Sequence, residues 1–473
     1  MSGRRVASQA MEDDQGRAPR PAPGEPGELL TILGVGFGLA GAVGATIGAG
    51  ILRTPGLVAA QLPNPAWLMG LWTLGGILAL LGALCVAELS ASLPRAGGWC
   101  VFAGEAFGRQ TGALVGWADW LAHCIGLAWE ATTLGELGAD LLPHELVSPG
   151  LTPRLLALLS LAVFLVVQLL GLRVASASQD VLSLLKAVVF LALVAACFLL
   201  PLPSAGPPSV GGPLPPWPEG AIPWTDLIGP TVLALQAVIT TYDGWVSPVY
   251  FAAEFSDPVR DLPRSLIGGV VLVLALYLLI NAALLHVLPL EDLARSPLPA
   301  AEAAPRLVGP LGGQLITAVA LLALLGLITT VVMAAARILY GLAREGLFPA
   351  RLAAVNAGGT PVVAVGLTVG VAAALVSVGS FERLLSLGAV LYTALPLTGI
   401  GALLWLRWRQ PEAPRPFRAW GYPLTPLLAG LVSVAFLGGE LFTHPQDGLL
   451  ALALVGSGVP LLWLSPRPTP VDS

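Results

Sequence analysis

The tightest constraint on this chain is a pair of glycine-marked breaks inside apolar stretches long enough to span a bilayer. One is VGATIGAGIL, Val43 to Leu52, and the other is TTYDGW, Thr240 to Trp245. Hydrocarbon offers no partner to a free backbone N–H or C=O. A broken helix therefore persists at membrane depth only where protein or a cavity covers it. Two such breaks at corresponding places in two halves of a chain point to a substrate site near the midplane. That pattern reads as a transporter.

Composition agrees. The 473 residues are 56% hydrophobic and 11% charged, against about 25% charged in soluble domains. We expect an all-α integral membrane protein with twelve transmembrane helices, from a first span over 32–60 to a last over 447–464. The net charge of −5 is small, which argues against a nucleic-acid partner. The expected organisation is a disordered cytoplasmic tail over 1–28 and helices 1–5 over 29–200. An external loop over 201–225, helices 6–10 over 226–408, helices 11–12 over 409–465 and a cytoplasmic C-terminus over 466–473 follow. Each set of five begins with a broken helix. Five is odd, so the two sets form an inverted repeat, alike in pattern rather than residue by residue.

Arginine sets the orientation. With the tail inside, Arg95, Arg109, Arg173, Arg260, Arg344 and Arg407 fall at inner ends along with most others. Only Arg154, Arg295, Arg306 and Arg383 fall outside. This obeys the positive-inside rule and puts both termini in the cytoplasm of a multi-pass plasma-membrane protein, with a bacterial inner membrane expected. Cys85, Cys100, Cys124 and Cys197 lack metal-ligand spacing and read as packing residues. No metal or cofactor is expected. Without a clustered nucleophile, a metal-binding motif or a phosphate-binding loop, we expect no enzyme and no direct use of ATP.

Five segments, in order, resemble the amino acid permeases of the amino acid–polyamine–organocation superfamily, near the L-type amino acid transporter branch. They are VGATIGAGILRTPG, AELSASLPRAGGWCVFAGEAFG (Ala87–Gly108), YDGW with EFSDPVRDLPRS (Glu254–Ser265), RILYGLAREGLFP (Arg337–Pro349) and RPFRAWGYPLTP (Arg415–Pro426). The resemblance implies transport of an L-amino acid by alternating access, through sodium-independent exchange or proton symport. A polyamine or other organic cation is the alternative substrate.

A zwitterion needs one partner for its carboxylate and another for its ammonium. Free amides at a helix N-terminus suit the carboxylate. Gly48, Ala49 and Gly50 can expose them, and the family uses this segment so. Relatives often carry serine where this chain has Ala49, so contact there falls to backbone. Thr46 and Ile47 close the preceding half-helix, and the Thr46 hydroxyl either faces substrate or bonds back to its own helix. The competing reading is that these glycines only let helices pack closely.

At the second break, Thr240, Thr241, Asp243 and Gly244 sit where the family unwinds its sixth helix, and carbonyls freed there can receive the ammonium. Thr240 stands where many relatives place an aromatic gate. Asp243 is costly in mid-bilayer and either selects cationic substrates or caps nearby amides.

Lys186 is the only lysine and lies inside the fifth span. In sodium-independent relatives a fifth-helix lysine takes the place of the sodium ion. A titrating role in proton coupling and snorkelling to the inner face remain open. Glu130 and Arg337 are possible gate residues, and Glu136 is expected at the interface. Arg53 is a candidate partner for Glu130 or Asp243, and Glu88 for Arg95. His123 is left unassigned. Animal L-type relatives bind a single-span glycoprotein through a cysteine between helices 3 and 4. The segment 142–153 has none, so no disulfide-linked accessory subunit is expected.

Overall fold

The computed structural model describes residues 29–143, 145, 147–148, 150–201, 224–296, 298–378, 381–443 and 445–460. The expected tail over 1–28, nearly all of the 201–225 loop and the 466–473 terminus lie outside the described residues. Among those described, the chain is all helical, with two isolated bridges and no strand.

Helices α1 (Val35–Thr46) and α2 (Gly50–Gln61) are the halves of the first broken stretch, bent by 48° across Ile47–Ala49. Next, α3 (Pro65–Ser92) starts where the Asn64 side chain accepts from the Ala66 and Trp67 amides, with Pro65 in the first turn. These are donors the helix cannot satisfy itself and a residue with no amide to lose. A short helix α4 (Trp99–Phe107) precedes α5 (Arg109–Asp140), α6 (Leu151–Leu169) and α7 (Leu172–Leu199). The second half opens with α8 (Trp224–Tyr242). Its chain then turns through Gly244 into a 3-10 segment, Ser247–Glu254, before α9 (Pro258–Val287). Two short helices, α10 (Leu290–Arg295) and α11 (Pro299–Val308), lead to α12 (Gly312–Arg344), and α13 (Val362–Val378), α14 (Phe381–Arg409), α15 (Leu424–Thr443) and α16 (Pro445–Gly456) follow.

Seven helical stretches are long and apolar enough to cross a membrane, and eight if the bent pair counts as one span. The long helix α5 is not among them, because it carries Asp119, His123 and Glu130 in its interior, all buried. An apolar window of the Pro299–Arg344 stretch is 56% buried, whereas that of Leu424–Phe442 is 17% buried. Helix α12 is therefore an inner post and α15 an outer, lipid-facing helix. Around the post, α1 packs against α7, α9, α12 and the 3-10 segment, so the first break is enclosed by protein, as its unpaired backbone requires.

Backbone bonds tie the entry of α1 to the exit of the second break. The Leu33 amide donates to Glu254 O at 2.9 Å, and the Ser256 amide donates to Leu33 O at 2.9 Å. From α12, Arg337 holds the same exit. It is fully buried, donates through Nε and a terminal nitrogen to both Glu254 oxygens at 3.0 Å, and lies over Phe251.

Several local expectations are corrected. The short helices α4, α10 and α11 lie between long ones, so the chain holds helices beyond the twelve spans expected. Glu88 does not pair with Arg95. It accepts from Arg407 and the Ala419 amide and forms an ion pair with Arg415 at 3.4 Å, while Arg95 reaches Glu105 and Glu345. Proximity in sequence suggested the Glu88–Arg95 pair, but α14 and the segment after it supply a bidentate guanidinium that Arg95 cannot match. All four cysteines are free and buried.

Removing one partner of a buried ion pair strands the other charge, at about 3–5 kcal/mol. Glu254→Gln is therefore expected to lower the thermal unfolding midpoint of the detergent-solubilised protein. The double change Glu254→Leu with Arg337→Met should recover most of the loss. An unchanged midpoint in the single variant would contradict a structural role for the pair.

Candidate functional site

The two breaks meet. At the first, Ile47 has extended backbone angles and its amide donates to Val43 O at 2.9 Å, the last bond of α1. The amides of Gly48, Ala49 and Gly50, half-buried at the start of α2, make no backbone hydrogen bond. They are the orphan donors of a helix N-terminus, left within reach of a ligand. Behind them, the Lys186 ammonium donates to Gly44 O and Ile47 O, each at 2.7 Å. Lys186 is 1% exposed, and its stem passes Gly326 of α12, where a methyl group would stand 3.1 Å from its Cε.

The second break presses on the first. Gly244 has φ +112°, and a Cβ there would lie 2.5 Å from Ala45 O. Both the left-handed backbone and the contact require glycine. The Tyr277 hydroxyl of α9 lies 2.9 Å from Thr46 O and 3.0 Å from Thr241 O, sharing its proton between carbonyls of the two breaks. Thr241 spends its own proton on Ala237 O at 2.8 Å, so its 2.8 Å contact with Thr54 is a bond donated by Thr54. Gly50 faces this Thr241 side chain. Helix ends from both halves of the chain thus enclose one small region, with free amides on one side and the α8 terminus on the other.

Free amides favour an anion and opposing carbonyls favour a cation. The family model for amino acid permeases matches residues 30–451. The chain belongs to the amino acid permease family.

Its relatives are transporters. The serine/threonine exchanger SteT of Bacillus subtilis is 25% identical over 445 residues, covering 91% of this chain and 96% of the exchanger. Asc-type amino acid transporter 1 of Mus musculus is 26% identical over 433 residues, 89% of this chain and 78% of its own length. Large neutral amino acids transporter small subunit 2 of Homo sapiens is 27% identical over 446 residues, with the same two coverages.

Within the permease, the candidates separate by position. Thr46 donates its hydroxyl proton back to Ala42 O at 2.8 Å, and Ile47 offers its carbonyl to Lys186. Thr240 is exposed and donates to Gln236 O at 3.0 Å, and Asp243 is exposed beside Gly244. Glu130 is buried, with Oε2 unpartnered, and acts electrostatically on Lys186. Glu136, on another face of α5, is exposed, as an interfacial residue would be. Arg53 is exposed and pairs with neither Glu130 nor Asp243. Arg337 is set in its ion pair with Glu254, away from open space.

The sequence reading missed Tyr277, Asp119 and Tyr250. An aromatic residue in an apolar helix carries no signal that its hydroxyl bridges two breaks. Asp119 did carry one, being an acid four residues before His123 in a stretch otherwise apolar.

Gly244→Ala adds a methyl group where backbone stands and where a non-glycine residue is strained by about 1–3 kcal/mol. It is expected to cut initial uptake rates into proteoliposomes by about tenfold or more at equal inserted protein. Gly36→Ala, with open space at its Cβ, serves as the control and should leave the rates unchanged.

Proposed function

We propose that this permease is a secondary transporter of L-amino acids that works by alternating access without sodium and exchanges substrates across the membrane. The observation that carries the reading is the contact between the two breaks, with the Lys186 ammonium seated on carbonyls that the first break releases. A fixed ammonium there supplies the positive charge that a bound metal cation supplies in sodium-coupled transporters, so no ion gradient is needed to complete the site. The substrate carboxylate rests on the Gly48, Ala49 and Gly50 amides, and its ammonium rests on the carbonyls around Thr240 and Thr241. Exchange is preferred because the relatives include a serine/threonine exchanger. Proton symport is the second reading, supported by buried Glu130 acting on Lys186. A polyamine substrate is disfavoured because it has no carboxylate for the amides.

The proposal extends to the architecture. It has twelve spans, with 29–200 and 226–408 as inverted five-helix repeats and helices 11 and 12 over 409–465. Both termini are cytoplasmic and the membrane is the plasma membrane. Thr240, Glu130 and Arg337 are the gate candidates, and of these Thr240 lies nearest the open side of the breaks. One relative is named as a small subunit. This chain has no cysteine over 142–153, and we propose that it functions without a disulfide-linked partner.

The test is uptake of labelled L-amino acids into proteoliposomes, with and without internal amino acid, at symmetric pH. Exchange requires internal substrate, and rates in sodium and choline buffers should agree within about twofold; a requirement for sodium would overturn the role given to Lys186. Lys186→Ala leaves two carbonyls without their donor, at about 1–3 kcal/mol each. It is expected to abolish uptake while the protein still inserts. Asp243→Asn should reduce uptake of arginine or lysine at least about fivefold more than that of serine or alanine, since a charge-assisted bond contributes about 1.5–3 kcal/mol. Equal losses for both classes would remove Asp243 from selectivity.

A further inference from the structure

A second group of polar side chains lies beside the breaks. On α5, Asp119 is 0% exposed and His123 is 6% exposed. The His123 Nδ1 lies 2.8 Å from Asp119 O and 3.2 Å from Asp119 Oδ1. The Tyr250 hydroxyl, from the 3-10 segment, donates to the same Oδ1 at 3.1 Å, while Oδ2 is buried with no partner. The His123 ring stands edge-on to Tyr250, with Tyr392 of α14 on its other side.

Both oxygens near Nδ1 are acceptors, a backbone carbonyl and a carboxylate, so Nδ1 carries the ring proton. The second nitrogen, Nε2, makes no hydrogen bond and is not among the sealed, unpartnered atoms. It is the free basic position. A carboxylate buried with one oxygen bare costs several kcal/mol unless a cation balances it. The Asp119 carboxylate lies 3.2 Å from this imidazole, and charges interact strongly in such buried surroundings. The other titratable groups near the pair are Cys100 of α4, Tyr250, Tyr392 and Cys124 one turn along α5. None of them is a cation. Glu130, two turns along α5, acts on the same Tyr392.

We propose that His123 is a proton-binding residue of this permease, taking up a proton at Nε2 while the buried Asp119 carboxylate at Nδ1 balances the charge. The step is a plain proton transfer from solvent, with no bond broken in the protein. Asp119 also accepts from Tyr250, so the imidazolium and its carboxylate are tied to the 3-10 segment that follows the second break. Protonation thereby couples to that segment, which rests on the reading that the two breaks form the substrate site.

The test has two arms. The chain has four histidines. In the ¹⁵N-histidine-labelled permease in micelles, the His123 signals are assigned by their loss in His123→Gln. Between about pH 8 and pH 5, His123 should pass from the Nδ1–H tautomer to the imidazolium, and Asp119→Asn should displace that transition. A ring that stays neutral, stays charged or carries its neutral proton on Nε2 overturns the proposal. In proteoliposomes, exchange should change at least about threefold over the same range in the wild type. His123→Gln should flatten that profile while keeping the thermal unfolding midpoint. A variant that keeps the wild-type profile also overturns it. The spectroscopic arm needs no substrate. Failure to find any exchanged amino acid would therefore sink the proposed function and leave the proton site to be decided on its own.

Discussion

The ammonium of Lys186 on the carbonyls of Gly44 and Ile47 is the interaction on which the site depends. Opening a helix inside a membrane leaves carbonyls that nothing in lipid can satisfy. Water in a wide cavity would serve, but would leave the break mobile. A bound cation would also serve, and would make the break conditional on that ion. A side-chain ammonium, tethered to α7 and admitted past Gly326, satisfies two carbonyls at once and cannot diffuse away. The cost of burying its charge is offset by those two charge-assisted bonds and by Glu130 nearby. The first break is therefore a permanent feature of this chain, and its amides are always presented on the opposite side.

The second break depends on the first through Gly244 and Tyr277. Gly244 brings its backbone against Ala45, and the Tyr277 hydroxyl sits between carbonyls of both segments. The ties at Leu33, Glu254 and Ser256 extend this joint towards the other end of the same pair. Arg337 then fastens Glu254 to α12. A substrate seated between the breaks touches a unit that is bonded at both ends and open between them. That is the form a rocking element needs: stiff along its length, with unpaired polar groups only where the ligand binds.

Much of this was legible in the residues, for reasons that can be named. Glycine flanking an apolar run marks a backbone exception without any knowledge of neighbours, so both breaks could be located before their contact was known. Lys186 stood out because it is the single lysine of the chain and lies inside an apolar helix, where snorkelling is the only ordinary explanation. What the sequence concealed was pairing across distance. Glu88 looked suited to Arg95, seven residues away, but met arginines more than three hundred residues later. Arg337 read as a gate or an ion-pair residue, but its partner Glu254, 83 residues away, was not visible. Helix α4 was taken as linker because its nine residues are too few to span, although its burial makes it part of the core. The hydroxyl bridge of Tyr277 left no trace in periodicity, because an apolar helix face tolerates tyrosine equally well with or without a partner for its oxygen.

Helix α5 shows where the two halves of the argument join. It is too polar to pass as a lipid-exposed span, yet its acids and its histidine are buried, and such residues persist inside a membrane only where protein or a water-lined cavity receives them. The reason is visible in what α5 faces. Along one side its Asp119 accepts from Tyr250 of the 3-10 segment that follows the second break, and holds His123 beside it. Further along, Glu130 is buried with one oxygen unpartnered. The same helix packs along the inner post α12, so its polar side chains are covered by protein rather than lipid, which is the condition for keeping them in a membrane.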